Sequence, residues 1–303
     1  MQRSPLLIAV VGPTAVGKTD LCVRLARRLG APVLSADSRQ FYREMRIGTA
    51  KPSMEEQGGV PHYFIDSRSV AEHYSVGDFE REALSLLEDL FRRHRAVVLT
   101  GGSGLFVQAV CEGIDDIPPL GEGVRERLME EFAEAGLAPL LAELEASDPD
   151  YFREVDRANH ARVIRALEVI RSSGQPFSRF RKREAAPRPF GILKIGLQRD
   201  RAELYARIDR RVEGMVAAGL EEEARGLWPL AHLNALQTVG YQEFFDYFDG
   251  KMGRDEAISK LQQHTRRYAK RQLTWFKRDA GVRWFHPDDW EGIWGLVEAS
   301  LPT

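Results

Sequence analysis

Six apolar residues at positions 6–11 run without a break into Gly12-Pro13-Thr14-Ala15-Val16-Gly17-Lys18-Thr19. Leu21, Leu25 and Leu29 then recur at helical spacing, and Gly30 supplies a stop. A buried strand that ends in Gly-x-x-x-x-Gly-Lys-Thr and opens a helix leaves few choices of fold. It predicts an α/β protein with a P-loop NTPase-like core, a parallel sheet flanked by helices. The loop's backbone N–H groups can wrap an anionic oxygen, and the helix start turns its positive dipole end toward it. Lys18 adds a mobile cation, and the Thr19 hydroxyl can complete the shell of a Mg²⁺ ion. Residues Gly12 to Thr19 are thus expected to bind a nucleotide or diphosphate, ATP being the commonest occupant of such a loop. The bland alternative is a glycine-rich turn with a lysine at a helix start.

Composition narrows the class. The chain has 303 residues, 43% hydrophobic and 29% charged, with a net charge of −2. That suits a folded globular protein and argues against a uniformly basic nucleic-acid binder, while leaving room for local basic faces. Cys22 and Cys111 are the only cysteines and lie outside metal-ligand spacings, so reduced thiols in a cytosol are expected. A six-residue apolar run that merges into the loop does not fit a signal peptide. No stretch approaches the roughly 20 apolar residues of a membrane span. A cytoplasmic monomer is expected.

Residues 32–36 read as a second short strand ending in Asp37-Ser38-Arg39-Gln40. In open parallel sheets ligands sit beyond the carboxyl ends of the strands, so Asp37 is expected to face the crevice of Lys18. From position alone it serves equally well as a helix N-cap. Lys51, in the loop at 47–52, is either a second phosphate contact or a solvated side chain. Residues 61–66 form a third candidate strand, and Ser75 with Asp78 predicts a capping box. The buried strand at 96–100 ends in Thr100-Gly101-Gly102-Ser103-Gly104. A phosphate-loop ATPase usually places a Mg²⁺-organising acid there, so a motor or switch ATPase is disfavoured.

From about residue 122 to 187 the strand–helix alternation stops, with helices predicted at 124–144 and 161–173, and breaks at Gly136 and Gly174. A strand pattern resumes at 190–197. The chain therefore divides into a catalytic core, 1–121 with 188–303, and a helical insertion, 122–187. Between positions 153 and 183 nine Arg and Lys stand against three acids, with Tyr151, Phe152, Phe177 and Phe180 nearby. Basic residues interleaved with aromatics suit nucleic acid or another polyanion, though for this stretch in isolation a solvated helical face with core aromatics is slightly favoured. A final long helix is predicted over 254–278. Arg267, Lys270, Arg271 and Lys277 form a broad stripe on it, while Leu261, Tyr268 and Leu273 can pack inward. From local motifs alone a transferase, a P-loop small-molecule kinase and a nucleotide-gated RNA-binding module all remain open.

In combination, the chain resembles the tRNA dimethylallyltransferases, also called tRNA isopentenyltransferases. The resemblance rests on the loop at 12–19, Asp37-Ser38-Arg39-Gln40, Ile47-Gly48-Thr49-Ala50-Lys51-Pro52 and Gly58-Gly59-Val60-Pro61-His62. It continues through Gly101-Gly102-Ser103-Gly104-Leu105-Phe106, the block at 162–169, Val239-Gly240-Tyr241 and the block at 269–276. These blocks cover roughly residues 6 to 279. The family usually has Thr at Ser103 and Tyr at Phe106. The resemblance implies transfer of a dimethylallyl group from dimethylallyl diphosphate to N6 of the adenosine 3′-adjacent to the anticodon, with Mg²⁺. It implies catalytic roles for Asp37, Thr14, Lys18 and Ser103. It also implies contacts to the tRNA anticodon stem-loop from Asp37, Ser38, Arg39, Gln40, Ser103, Arg125, Arg162, Arg165, Val239, Gly240, Tyr241, Lys270 and Arg271.

Overall fold

The computed structural model describes residues 4–181 and 185–302. Six parallel strands form one sheet in the order β3-β2-β4-β1-β5-β6. They are β1 (Leu6–Val11), β2 (Val33–Ser35), β3 (His62–Tyr63), β4 (Ala96–Gly101), β5 (Gly191–Leu197) and β6 (Val282–Phe285). The apolar run of β1 is explained by its central place. It pairs with β4 on one side and β5 on the other, from Leu6 opposite Ala96 and Gly191 to Val11 opposite Gly101 and Gly196. Both its faces are covered, so all six side chains are buried. Burying a Leu or Ile side chain contributes about 1.5–3 kcal/mol, so this strand anchors the loop that follows it.

Helices cover the two faces. The core contributes α1 (Lys18–Leu29), α2 (Met54–Gln57), α3 (Val76–Phe91) and α4 (Gly104–Glu112) before the insertion. The insertion holds α5 (Val124–Ala135), α6 (Leu137–Ser147), α7 (Pro149–Glu154) and α8 (His160–Ser173). After it come α9 (Arg201–Ala217), α10 (Leu220–Leu227), α11 (Gln242–Phe248), α12 (Arg254–Phe276) and α13 (Trp290–Ser300). Leu6, Ile8 and Val10 pack in one cluster with α1, α9 and α13, whereas Leu7, Ala9 and Val11 pack with α3 and α4. The period-two alternation of β1 thus feeds two cores. Ser75 and Asp78 form the expected reciprocal capping box on α3.

Two compact units result, residues 1–111 with 187–303, and residues 112–186. The smaller has its own core, including Leu128, Leu140, Leu144, Val163, Ile164 and Leu167. The helical stretch at 124–144 breaks at Gly136 as expected, where φ is 74°, into α5 and α6. The helix expected to be final is not. After α12 the chain adds edge strand β6 and then α13, whose Trp290 and Trp294 stack at 5.9 Å beneath Arg24 and Arg28 of α1. This aromatic stripe at i, i+3, i+4, i+7 (Trp290, Ile293, Trp294, Val297) was present in the sequence, but it lies beyond the last family-like block.

Candidate functional site

The turn after β1 is tightly enclosed. Gly12 has φ 144°, and a Cβ there would stand 2.7 Å from the carbonyl oxygen of Leu197 at the end of β5. Ala15 also takes a left-handed φ of 63°, which a non-glycine residue adopts only under local constraint. Gly17 caps α1 without a side chain, so no side-chain cap occupies the first amides of the helix. Lys18 folds back, its Nζ donating to the carbonyls of Gly12 (3.0 Å) and Pro13 (2.8 Å). Burial lowers its pKa to about 8. The Asp37 carboxylate opposes that shift, and the Arg211 charge adds to it.

Three arginines from the segment after β5 hold successive loop residues. Arg199 Nε donates to Val16 O (2.9 Å), Arg207 Nε to Ala15 O (2.8 Å) and Arg211 Nη1 to Thr14 Oγ1 (3.2 Å). Burial, followed by repulsion from Arg207, depresses the pKa of Arg211. These residues escaped the sequence reading. The available signal was the i, i+4 pair Arg207 and Arg211 on a helix that starts where a sheet strand ends.

The loop forms one wall of a cavity of about 330 Å³. Thr14, Ala15, Val16, Gly17, Lys18 and Thr19 line it, and Asp37, Arg39, Gln40, Thr100, Val239, Gly240 and Tyr268 line it elsewhere. Asp37 Oδ1 accepts from the Arg39 amide (3.0 Å), which fixes the carboxylate's direction. Ser103 Oγ accepts from the Ser38 amide (3.0 Å) and donates to Ser38 Oγ (3.1 Å). Tyr268 also bonds Ser103, and burial, aided by the Asp37 charge, pushes its hydroxyl up to about 12. Ser103 spends its hydroxyl on bracing Ser38. Phe106 packs between Phe41 (5.5 Å) and Phe79 (5.3 Å), so its ring serves an aromatic cluster.

Several expected contacts have other work. Gln40 spends its amide on Ser35 Oγ and the carbonyls of Thr49 and Ala50, bracing the 47–50 loop. Lys51 is neither a phosphate contact nor solvated. Its side chain is 4% exposed and bonds Tyr42 O and Asp66. Tyr241 is fully buried and donates to Glu223 Oε1 (2.6 Å), whose carboxylate also accepts from the Arg46, Ile47 and Gly48 amides. It shapes the cavity from behind and offers no surface to RNA. Tyr241→Phe is expected to cost about 1–2 kcal/mol of stability, read as a lower thermal midpoint, with RNA affinity unchanged.

On α12, Arg267, Lys270 and Arg271, with Lys277 at its C-cap, are all exposed while Leu261 and Ala269 are buried, as a basic stripe requires. In the insertion, Arg125 and Arg165 converge on the buried carboxylate of Glu168 at 3.3 and 3.0 Å, and Arg162 is exposed. The basic run there is less cationic than its sequence suggests. Arg171 pairs with Glu131 and Glu143, and Arg153 with Asp150, acids that lie outside the run. Lys182 and Arg183 of that run fall outside the described residues. Among the described residues no group of three or more His, Cys, Asp or Glu is placed to hold a metal, and no helix is long and apolar enough to cross a membrane.

The model of a family described as IPP transferase matches residues 40–279. The chain belongs to the IPP transferase family. Its relatives extend that match across the phosphate loop. The tRNA dimethylallyltransferase 2 of Porphyromonas gingivalis is 54% identical over 282 residues, covering 93% of this chain and 94% of its own. The tRNA dimethylallyltransferase of Cytophaga hutchinsonii is 51% identical over 295 residues, 97% of each chain. Among solved structures, the full-length tRNA isopentenylpyrophosphate transferase of Bacillus halodurans superposes with TM-score 0.71 at 40% identity. It is matched over 97% of this chain and 95% of its own. Membership therefore covers the whole core and the insertion, and the parallel α/β architecture agrees with it.

Proposed function

We propose that this protein prenylates tRNA, transferring a dimethylallyl group from dimethylallyl diphosphate to N6 of the adenosine 3′-adjacent to the anticodon. One observation carries the reading. A single cavity has a phosphate loop with Lys18 and Arg211 on one wall and an anchored carboxylate, Asp37, on the other. The N6 lone pair is delocalised into the adenine ring, so the amine attacks C1 weakly unless its proton has an acceptor. As the N6–C1 bond forms and the C1–O bond breaks, Asp37 takes the N6 proton and the C–O electron pair leaves on the diphosphate. Loop amides, Lys18 and Arg211 receive that charge in a site where burial strengthens each interaction.

Mg²⁺ fits the donor set, since it is commonly held by one or two protein oxygens with phosphates and waters completing the shell. Thr19 would hold it, and the ion supplies further neutralisation of the diphosphate when bound. The target base must leave its stack to enter the cavity. The exposed α12 stripe and Arg125, Arg162 and Arg165 of the insertion serve as phosphate contacts for the anticodon stem-loop. A cytoplasmic monomer is proposed as the acting unit.

The deciding experiment incubates unmodified tRNA with labelled dimethylallyl diphosphate and Mg²⁺, followed by nucleoside analysis. Prenylated adenosine is expected. ATP-dependent phosphorylation of a small molecule, with no prenyl product, would sink the reading in favour of a kinase. The phosphate contacts make a separate prediction. Affinity for the stem-loop should fall steeply with salt, and Lys270→Ala and Arg271→Ala should each flatten the slope by about one unit. An unchanged slope removes these residues from the RNA contact.

A further inference from the structure

Gln272 of α12 hydrogen-bonds the phosphate loop. It is 6% exposed, a buried polar side chain on the inner face of a helix whose outer face carries Lys270 and Arg271. Both ends of its amide are used. Oε1 accepts from the Thr14 amide (2.9 Å), and Nε2 donates to the carbonyl of Gly102 (2.9 Å). A Cβ on Gly102 would stand 2.1 Å from Nε2, so a side chain there would push the Gln272 amide off this contact. The next residue, Ser103, holds Ser38 beside Asp37. A continuous path of hydrogen bonds and peptide links therefore runs from Thr14 through Gln272, Gly102, Ser103 and Ser38 to Asp37.

We infer that Gln272 is a positioning residue, which sets the separation between the loop that holds the leaving diphosphate and the carboxylate that receives the N6 proton. The inference rests on the transferase reading. Displacement at C1 requires the nucleophile within about 3–3.5 Å of the reacting carbon and in line with the breaking C1–O bond, and a misplacement of about 1 Å can cost 10²-fold in rate. Gln272 contacts neither the reacting amine nor the diphosphate in this scheme. It orders the two walls that do. Without it, the Thr14 amide and the Gly102 carbonyl lose their partners, and the turns beyond the paired ends of β1 and β4 lose the cross-link between them.

The test uses the full-length protein, tRNA and dimethylallyl diphosphate, with rates normalised to folded enzyme by active-site titration. Gln272→Leu should lower kcat about 10- to 100-fold while donor and tRNA affinities change less than about threefold. Gly102→Ala attacks the same contact from the other side and should reproduce that split, which keeps the test alive if Gln272→Leu folds poorly. In a Gln272→Ala background the added Cβ has room, so Gly102→Ala should cost little more, a non-additivity that marks one shared contact. Losses that vanish on normalisation, or a double variant whose deficit is the product of the singles, overturn the positioning role alone. A wild-type protein that turns over no prenyl donor overturns the transferase reading and this role with it.

Discussion

Asp37→Ala is expected to lower turnover by roughly 10²- to 10⁴-fold, the span typical of a lost general base, with tRNA and donor affinity largely kept. The expectation comes from geometry. Asp37 follows β2 at the carboxyl edge of the sheet, lines the cavity, and is aimed by its bond to the Arg39 amide. Asp37→Asn separates chemistry from shape, because the amide oxygen can still accept from Arg39 while the side chain can no longer take a proton. It should therefore be nearly as slow as the alanine variant and as stable as the wild type. Single-turnover prenylation with saturating donor measures this directly. If Asp37→Ala keeps wild-type rate, the carboxylate is only a turn-former, and the proton acceptor lies elsewhere.

Much of this site was legible in the sequence because its key residues are local. A strand, eight loop residues and a helix specify one another within 24 positions (6–29), and Asp37 needs only the end of the next strand. What could not be read depends on contacts across long chain separations. Gln272 meets Thr14 across 258 positions, and Arg207 meets Ala15 across 192. No periodicity records such pairings. Tyr241 illustrates the converse error. Its family-like segment lies at the cavity, with Val239 and Gly240 in the wall, yet the side chain turns inward to Glu223. A motif marks a neighbourhood, and side-chain direction decides the role. The charge partners in the insertion are equally non-local, since Glu131 and Glu143 reach Arg171 from helices outside the basic run.

Lys18 should produce a large loss of a different kind. Lys18→Met is expected to reduce kcat/KM by about 10²- to 10³-fold, as for removal of one preorganised donor at a developing anion, and to weaken diphosphate binding in parallel. Its titration supplies an independent signature. In the free protein burial lowers its pKa from 10.5 to about 8, so between those values the unfolded chain binds more protons than the folded one. On this residue's account stability therefore rises as pH increases from about 8 toward 10.5. Ligand binding runs the other way. A diphosphate beside the ammonium raises its pKa, so above pH 8 the complex holds a proton that the free loop has lost. Affinity should fall above pH 8, by up to tenfold per pH unit, with proton uptake seen as buffer-dependent binding heats. The Asp37 carboxylate raises the Lys18 pKa, so Asp37→Asn should move the onset of this fall to lower pH. Lys18→Met should bind weakly and without the decline. If it shows the same pH dependence as wild type, some other group in the loop carries the proton.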